Sequence, residues 1–578
     1  MSLINKIYKK SWQLGLCLTL LVLSPKVTFS AADGAGEALA TVNRLTEKSI
    51  ANKISNRLQR VKKPEDLIPD YEPDIEDGDV ITQEPYFVLK SIVSVGNKVF
   101  ESSDFDILYK PYIGQKVKLS DMKKIAVEIT KKYRKAGYFL SYAGVPAQTI
   151  KDGKVTMQIF EGYIDQVNII FEEKNKNPSS RLFNLVHKLR KSRPLHQNTY
   201  ERYLMLIRDL YPAAKGYLEP SHKSTDGAAS LKIFIPKNQP IEGSVGVNNF
   251  ANDTVGPWMQ SVNLSIAPFW NPEHRITTSL SKGASLYELT ALNLGYQMPV
   301  FAEGTTFSIN QMISRSNPAG KIKVFKVKMR NYRTTFTLLH PVIRSRDTNM
   351  YAGIELAIQN QYKKHGSTDE LFKERSRNLK LFTINSWMDQ LGGSNFVRLS
   401  GIQGLNMLRA KKESSPNLTR VGASSDRFYF EGEISRMQKL AGPFAAGFYI
   451  TGQYAGAALL DIDRYRSNGF PFNGAYPVGA LSGDSGIEGK IELNYYNYDI
   501  RYLELFRLFI YVSKMKIWNR HPTTVEKYTE SAKGGGIGTQ IVMENGLSST
   551  LQYGYPFDSP VGGDPIKPQV GLNVNWKF

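Results

Sequence analysis

The sequence predicts an α+β region of small periplasmic modules followed by an all-β transmembrane barrel of about 16 antiparallel strands. Three observations carry that prediction. The N-terminus is built for export, helical periodicity gives way to alternation near residue 241, and the last residues alternate apolar and polar down to Phe578. Composition agrees: 41% apolar and 22% charged residues in a chain of 578 exclude a polytopic helical membrane protein and disorder along the whole length. No run reaches the roughly 18–20 apolar residues that a membrane-spanning helix needs. The 31 Tyr and 28 Phe suit interfacial aromatic girdles.

Residues 1–31 read as a secretory signal peptide. Lys6, Lys9 and Lys10 precede a short apolar core from Trp12 to Leu23, Ser24-Pro25 breaks it, and the small residues Ser30, Ala31 and Ala32 offer a cleavage site. The single cysteine, Cys17, lies inside this segment and follows Leu16, so the mature chain has no thiol for a disulfide, a zinc-thiolate site or a nucleophile. Losing Lys6, Lys9, Lys10 and Lys26 lowers the formal charge from +21 by four, to +17. An exported protein meets little cellular nucleic acid, which leaves acidic cargo or lipopolysaccharide phosphates as the partners this charge would suit.

Residues 32–63 contain one amphipathic helix, with Leu39, Val42, Leu45, Ile50, Ile54, Leu58 and Val61 at spacings near three and four. Residues 64–85 form an extended linker: eight acids fall between Glu65 and Asp79, and Pro64, Pro69, Pro73 and Pro85 forbid helix. Residues 86–162 make a first β-α-β module. A strand ends at Gly96-Asn97, and a helix from Ser120 carries Met122, Ile125, Ala126, Ile129 and Tyr133 on one face and stops at Gly137. Phe139 to Ala143 and Val155 to Ile159 then read as strands about the turn at Asp152-Gly153. Residues 163–238 repeat the design, with a strand at Val167 to Phe171, helices at 179–191 and 198–210, and a closing strand at Leu231 to Ile235.

From residue 239 onward short alternating segments recur between Gly, Pro, Asn and Ser clusters. Examples are Gln260 to Ile266, Arg275 to Leu280, Thr306 to Ile313, Ile322 to Met329, Thr334 to Leu339 and Tyr351 to Ile358. At roughly 20 residues per strand and connection, this length gives on the order of 16 strands. In the final segment Val570, Leu572, Val574, Trp576 and Phe578 form one face, and Val574, Trp576 and Phe578 are the expected C-terminal signal to the barrel-assembly machinery.

No constellation for catalysis stands out. The seven His are scattered without metal-ligand spacing, no Gly-x-Ser-x-Gly elbow occurs, and Lys533 to Gly538 lacks the Lys-Ser/Thr ending of a phosphate loop. Those glycines read as a crowded barrel strand. The sequence therefore predicts no enzyme, no metal and no cofactor.

The order of helix, linker, two αβ modules and barrel resembles the two-partner secretion outer-membrane transporters (TpsB), the hemolysin activation and secretion or ShlB/FhaC/HecB-like family. The first module is similar to that family's first polypeptide-transport-associated (POTRA) domain through Val95-Gly96-Asn97, Tyr133, Ala136-Gly137-Tyr138, Val145-Pro146-Ala147-Gln148 and the closing strand from Asp152 to Gly162. The second resembles its second POTRA domain through Tyr203 to Leu210, and Gly246-Val247-Asn248-Asn249-Phe250 resembles its first barrel strand. Gly474 to Gly486 is similar to the family's inward-folded sixth loop, placed here near 464–486, with Gly474, Tyr476, Pro477, Leu481, Gly483 and Asp484 as its pore-loop residues. In the family an Arg of this loop reaches an Asp on the barrel wall. Here Gly474 stands for the Arg, and the wall strand reads Phe509-Ile510-Tyr511-Val512-Ser513, with Tyr511 for the Asp. Losing both partners together is coherent, because either charge alone would be buried unpaired.

What the resemblance implies is an outer-membrane pore whose periplasmic modules take up an unfolded secreted partner, a large exoprotein, without nucleotide hydrolysis. The helix of residues 32–63 would be a pore plug. The expected partner-binding residues are Gly137, Tyr138, Phe139, Leu140, Ser141 and Tyr142, offering a sheet edge for β-augmentation. Two rival readings keep the same architecture: an insertase that assembles other barrels, and a passive porin or receptor.

Overall fold

A computed structural model of the chain describes residues 85–578 except 174–176, 222–226, 238–240, 252–255, 284–288, 319–322, 325, 367–369, 523–525 and 559–566. The expected signal peptide, plug helix and, apart from Pro85, acidic linker lie outside the described residues.

The first module is built on β1 (Ser91–Val95), α1 (Leu119–Lys135), β2 (Tyr142–Gly144) and β3 (Lys154–Phe160). β3 lies between a parallel β1 and an antiparallel β2, so the module has two sheet edges. The apolar stripe read from the sequence, Met122 to Tyr133, is the buried face of α1. It packs on Val155, Met157 and Ile159, the inward positions of β3. Glu161 explains why the Gly96-Asn97 turn and Tyr133 go together: its carboxylate accepts the backbone N–H groups of Lys98 and Val99 at 2.6 and 2.7 Å and the Tyr133 hydroxyl at 2.9 Å. Burial, and then this carboxylate, push the Tyr133 hydroxyl well above its ordinary pKa, so it remains a donor.

The second module comprises β4 (Tyr163–Phe171), α2 (Ser180–Lys191), α3 (Gln197–Leu210), β5 (Lys215–Pro220) and β6 (Ala228–Ile235), in sheet order β4-β6-β5. Ser179 caps α2 by accepting from Leu182. The sequence reading missed β5, where Gly216 and Pro220 hide the strand pattern.

The remaining strands close into a barrel: β7 (Ile241–Asn248), β8 (Met259–Ile266), β9 (Arg275–Gly283), β10 (Leu289–Pro299), β11 (Thr306–Ser316), β12 (Lys328–Arg344), β13 (Thr348–Lys364), β14 (Leu371–Met388), β15 (Gly393–Gly404), β16 (Phe428–Lys439), β17 (Phe444–Ala455), β18 (Ser485–Asn497), β19 (Leu503–Trp518), β20 (Thr529–Met543), β21 (Leu547–Pro556) and β22 (Gln569–Lys577). Each pairs antiparallel with the next, and β22 pairs β7 to make sixteen in a ring. Two expected segments are corrected. Of the segment Ile322 to Met329, Ile322 and Phe325 lie outside the described residues, Lys323 and Val324 form a 3-10 turn and strand begins only at Lys328, while Thr334 to Leu339 is the middle of one 17-residue strand that runs on past Pro341. A register shift between Pro341 and Ile343 accommodates that proline.

The second module is docked on periplasmic turns of the barrel. Arg344 forms a two-pronged pair with Asp209, donating to its carboxylate oxygens at 2.9 and 2.8 Å. Glu273, in the β8–β9 turn, accepts from Arg181 at 3.1 Å and from the Tyr211 hydroxyl at 3.2 Å. Burial pushes that hydroxyl up to about 12, so it stays protonated as Glu273's donor. Lys188 and Arg202 pair with Glu303 in the β10–β11 turn, and Arg202 also donates to the Pro341 and Val342 carbonyls.

Candidate functional site

The connection from β17 to β18 covers residues 456–484 and folds back into the barrel. Tyr465–Arg466 and Ser482–Gly483 pair antiparallel and make it a narrow hairpin. Its first part, the short 3-10 turn Asp461–Asp463, hangs on β14. Ser376 and Asn378 donate to Asp463 at 3.1 and 2.8 Å, and the Ile462 N–H donates to Glu374 at 3.2 Å.

The apex rests on β18–β21. Glu488 of β18 accepts the backbone N–H and the side-chain amide of Asn468, both at 2.8 Å, and the Asn473 amide at 3.1 Å. Ser513 donates to Asn473 at 3.0 Å. The Tyr476 hydroxyl, part of a fully buried side chain, donates to the Lys533 carbonyl of β20 at 2.6 Å. At Gly474 a Cβ would stand 2.2 Å from the Phe470 ring and 2.7 Å from Gln552, so no side chain fits at that position. The glycines of β20 have a matching purpose: a Cβ at Gly534 would meet Ala475 at 2.4 Å, and one at Gly536 would meet the Tyr511 ring at 2.7 Å. They let the loop lie flat against the wall.

The charge pair that holds the loop is Arg420 with Asp484. Asp484, at the point where the loop rejoins β18, is fully buried and takes both prongs of Arg420 at 2.7 and 3.2 Å. It also accepts the backbone N–H groups of Leu459 at 2.8 Å and Arg520 at 2.7 Å. Arg420 comes from the β15–β16 connection, so one extracellular loop clamps another. Pro477 is half-buried, Leu481 is buried beside Met515 and Ile517, and Gly483 passes where a Cβ would stand 2.9 Å from the Trp518 carbonyl. Of the wall residues, Ser513 touches the loop directly. Tyr511 sits among Gly536, Lys490 and the loop backbone, and Phe509 packs over Gly538. Sequence reasoning missed Arg420, Asn473 and Glu488. An unpartnered acid at 484 was the only local signal that a cation had to arrive from elsewhere.

Between the loop and the wall of β12–β17 lies an open cavity of about 230 Å³. Arg333, Lys380, Arg398, Arg464 and Arg466 line it together with Glu355, Glu431, Glu433 and Asp463. Ala357, Ile402, Ile462 and Phe472 add apolar surface between these charges.

The six residues expected to bind a partner divide in two. Gly137 to Ser141 form the joint between the modules. A Cβ at Gly137 would stand 2.6 Å from His196, Tyr138 packs edge-on against the same ring, Phe139 packs against Tyr200, and Leu140 and Ser141 are buried. Phe139 to Ser141 are thus no open edge, because the second module's core fills the space beside them. Only Tyr142 enters β2, an edge strand, where it stacks on Phe160. At the end of the barrel, the Trp576 indole donates to the Asn545 carbonyl at 3.2 Å, Phe578 exchanges backbone hydrogen bonds with Gly243, and Val574 pairs with Val247 across the closing seam.

Residues 87–162 match the family described as POTRA domain, ShlB-type. The heme/hemopexin transporter protein HuxB of Haemophilus influenzae is 23% identical over 409 residues, which is 70% of this chain and 71% of that one. The outer membrane transporter CdiB of Dickeya dadantii is 19% identical over 520 residues, 87% of this chain and 88% of its own. Among solved structures, CdiB from Escherichia coli superposes with a TM-score of 0.73 at 16% identity, over 95% of this chain and all (100%) of that one, a likeness of fold. The ShlB-type module, the transporters it resembles along most of their length and the likeness of fold support a two-partner secretion transporter of the outer membrane, with its POTRA region in the periplasm.

Proposed function

We propose that the chain exports one large secreted protein, taken up unfolded by its two periplasmic modules and threaded outward along the polar side of the barrel, with no nucleotide consumed. The observation that carries this reading is the division of the lumen. One wall holds the inward loop, while the other faces an open charged cavity of about 230 Å³ above modules docked to the same barrel. Recognition by strand addition fits the free edges: β1 exposes Val93 and Val95, β5 exposes Tyr217, and β2 begins at Tyr142. Folding of the cargo outside would supply the drive. Val574 and Trp576 of β22, with Phe578 directly after it, would serve recognition by the assembly machinery during biogenesis. The non-enzymatic reading draws on the relatives, which are transporters, and on Asp484 and Glu488, whose carboxylates are engaged in holding the loop.

The test is a secretion assay for a large protein encoded beside this one, with and without the chain, once heat-modifiable migration shows the barrel to be folded. Export should depend on the chain and fail when residues 86–236 are deleted. Normal barrel insertion with unchanged export would exclude the transporter reading and favour an insertase or a passive channel.

A further inference from the structure

Strand register fixes which residues of β11–β14 face the membrane. Arg333, Glu355 and Lys380 line the lumen, so their neighbours in sequence point outward, among them the exposed Leu338, Ile354 and Leu381. Reading the outward rows away from the periplasm, Ile309, Phe336, Leu356 and Leu379 form one apolar row across the four strands. Two rows further out the partners are Ile313, Tyr332, Asn360 and Arg375, and the next row is Arg315, Arg330, Tyr362 and Lys373. Lys328 stands one row beyond.

Every charged residue at an outward position of these four strands is a cation. Arg315 and Arg330 are direct cross-strand partners, an arrangement that destabilises a sheet when nothing lies between the two charges. Among the described residues, Arg315, Lys328, Arg330, Lys373 and Arg375 make no ion pair. Lys411 of the β15–β16 connection is hydrogen-bonded through its backbone to Arg375, which brings a further cation to the patch. Burial, followed by the repulsion of Arg375 and Lys373, lowers the pKa of that ammonium. Tyr332 and Tyr362 pack edge-on at 6.4 Å within the cationic rows, at the level where aromatic rings meet headgroups.

We propose that this outer face of β11–β14 binds a phosphorylated glycolipid of the outer leaflet, its phosphates between Arg315, Arg330, Lys373 and Arg375 and its acyl chains along the apolar rows below. Charge alone would suit any anion. The cations lie on the membrane face, above an apolar field from which the single mixed row of Gln311, Thr334, Ile358 and Arg377 separates them, and that arrangement selects an amphiphile with phosphate at one end and hydrocarbon at the other. A segment of exported protein would travel on the other side of the wall.

The full chain, purified in non-ionic detergent, is titrated with diphosphoryl lipid A and followed by native mass spectrometry. Wild type should retain the lipid. The combined Arg315→Gln, Arg330→Gln, Lys373→Gln variant should lose affinity by about tenfold or more, and Lys328→Arg with Lys373→Arg should keep it within about twofold. Dephosphorylated lipid A should bind both proteins equally poorly. If the triple variant does not migrate as a folded barrel, Lys373→Gln alone carries the test, with a loss of about threefold. Equal retention by wild type and the glutamine variants overturns the proposal. So does full displacement by millimolar inorganic phosphate, which would mark a free-anion site, or by a polyglutamate peptide, which would mark an acidic protein as the occupant.

Discussion

Asp484 and Arg420 show how one buried charge pair can hold a loop inside a barrel. With its side chain only 7% exposed, Arg420 is nearly as buried as its fully buried partner Asp484. Cutting one side of such a pair leaves a desolvated charge, at a cost of about 3–5 kcal/mol. Arg420→Ala or Asp484→Ala should therefore lower the barrel's melting temperature and make conductance in a planar bilayer noisy, as the loop samples detached positions. The combined Arg420→Met, Asp484→Leu variant should be less damaged than either single change, which a double-mutant cycle on melting temperature would measure. Asp484 was legible from the sequence as a loop residue. Arg420 was not, because it lies 64 residues away on a connection whose own pattern says nothing about where it folds. Gly474 was legible only in part. Its place in the loop could be read, while the reason for a glycine there, the Phe470 ring against its backbone, appears only in the folded chain.

At the scale of elements, alternation and helical period carried most of the fold. The stripe on α1 and the alternation in β22 are local patterns, and each reappears as a buried or lipid-facing side. The misplacements fall where chemistry interrupts period. Pro341 divides β12 in the sequence but not in space, and Pro220 with Gly216 hides β5. Contacts between elements were harder to read, since an Arg in β12 carries no mark that its partner is an Asp in α3. The Arg344–Asp209 pair is nearly buried on one side and a third exposed on the other, at 9% and 34%. Its two charge-assisted bonds should contribute about 1–2 kcal/mol after screening. Arg344→Ala should leave heat-modifiable migration intact and speed proteolytic cleavage between the second module and β7. The exchanged pair Arg344→Asp, Asp209→Arg should restore much of the protection.

For the whole molecule, the loop and the open cavity divide the lumen between them. Removing residues 461–481 should raise single-channel conductance severalfold, because the hairpin that fills the β18–β21 side would be gone while the sixteen-strand ring stays closed. Unchanged conductance would mean that the loop does not limit the pore. The lining of that cavity has a further consequence. Five cations and four anions stand interspersed on its walls, with small apolar surfaces such as Ala357, Ile402 and Phe472 between them. A polypeptide sliding past meets a complementary charge every few ångströms whichever sign it carries, and nowhere a long patch of one kind on which to dwell. Each short-lived contact would be replaced by the next, so the wall would act as a low-friction bearing, and a cargo of mixed sequence would move without a register at which to stall.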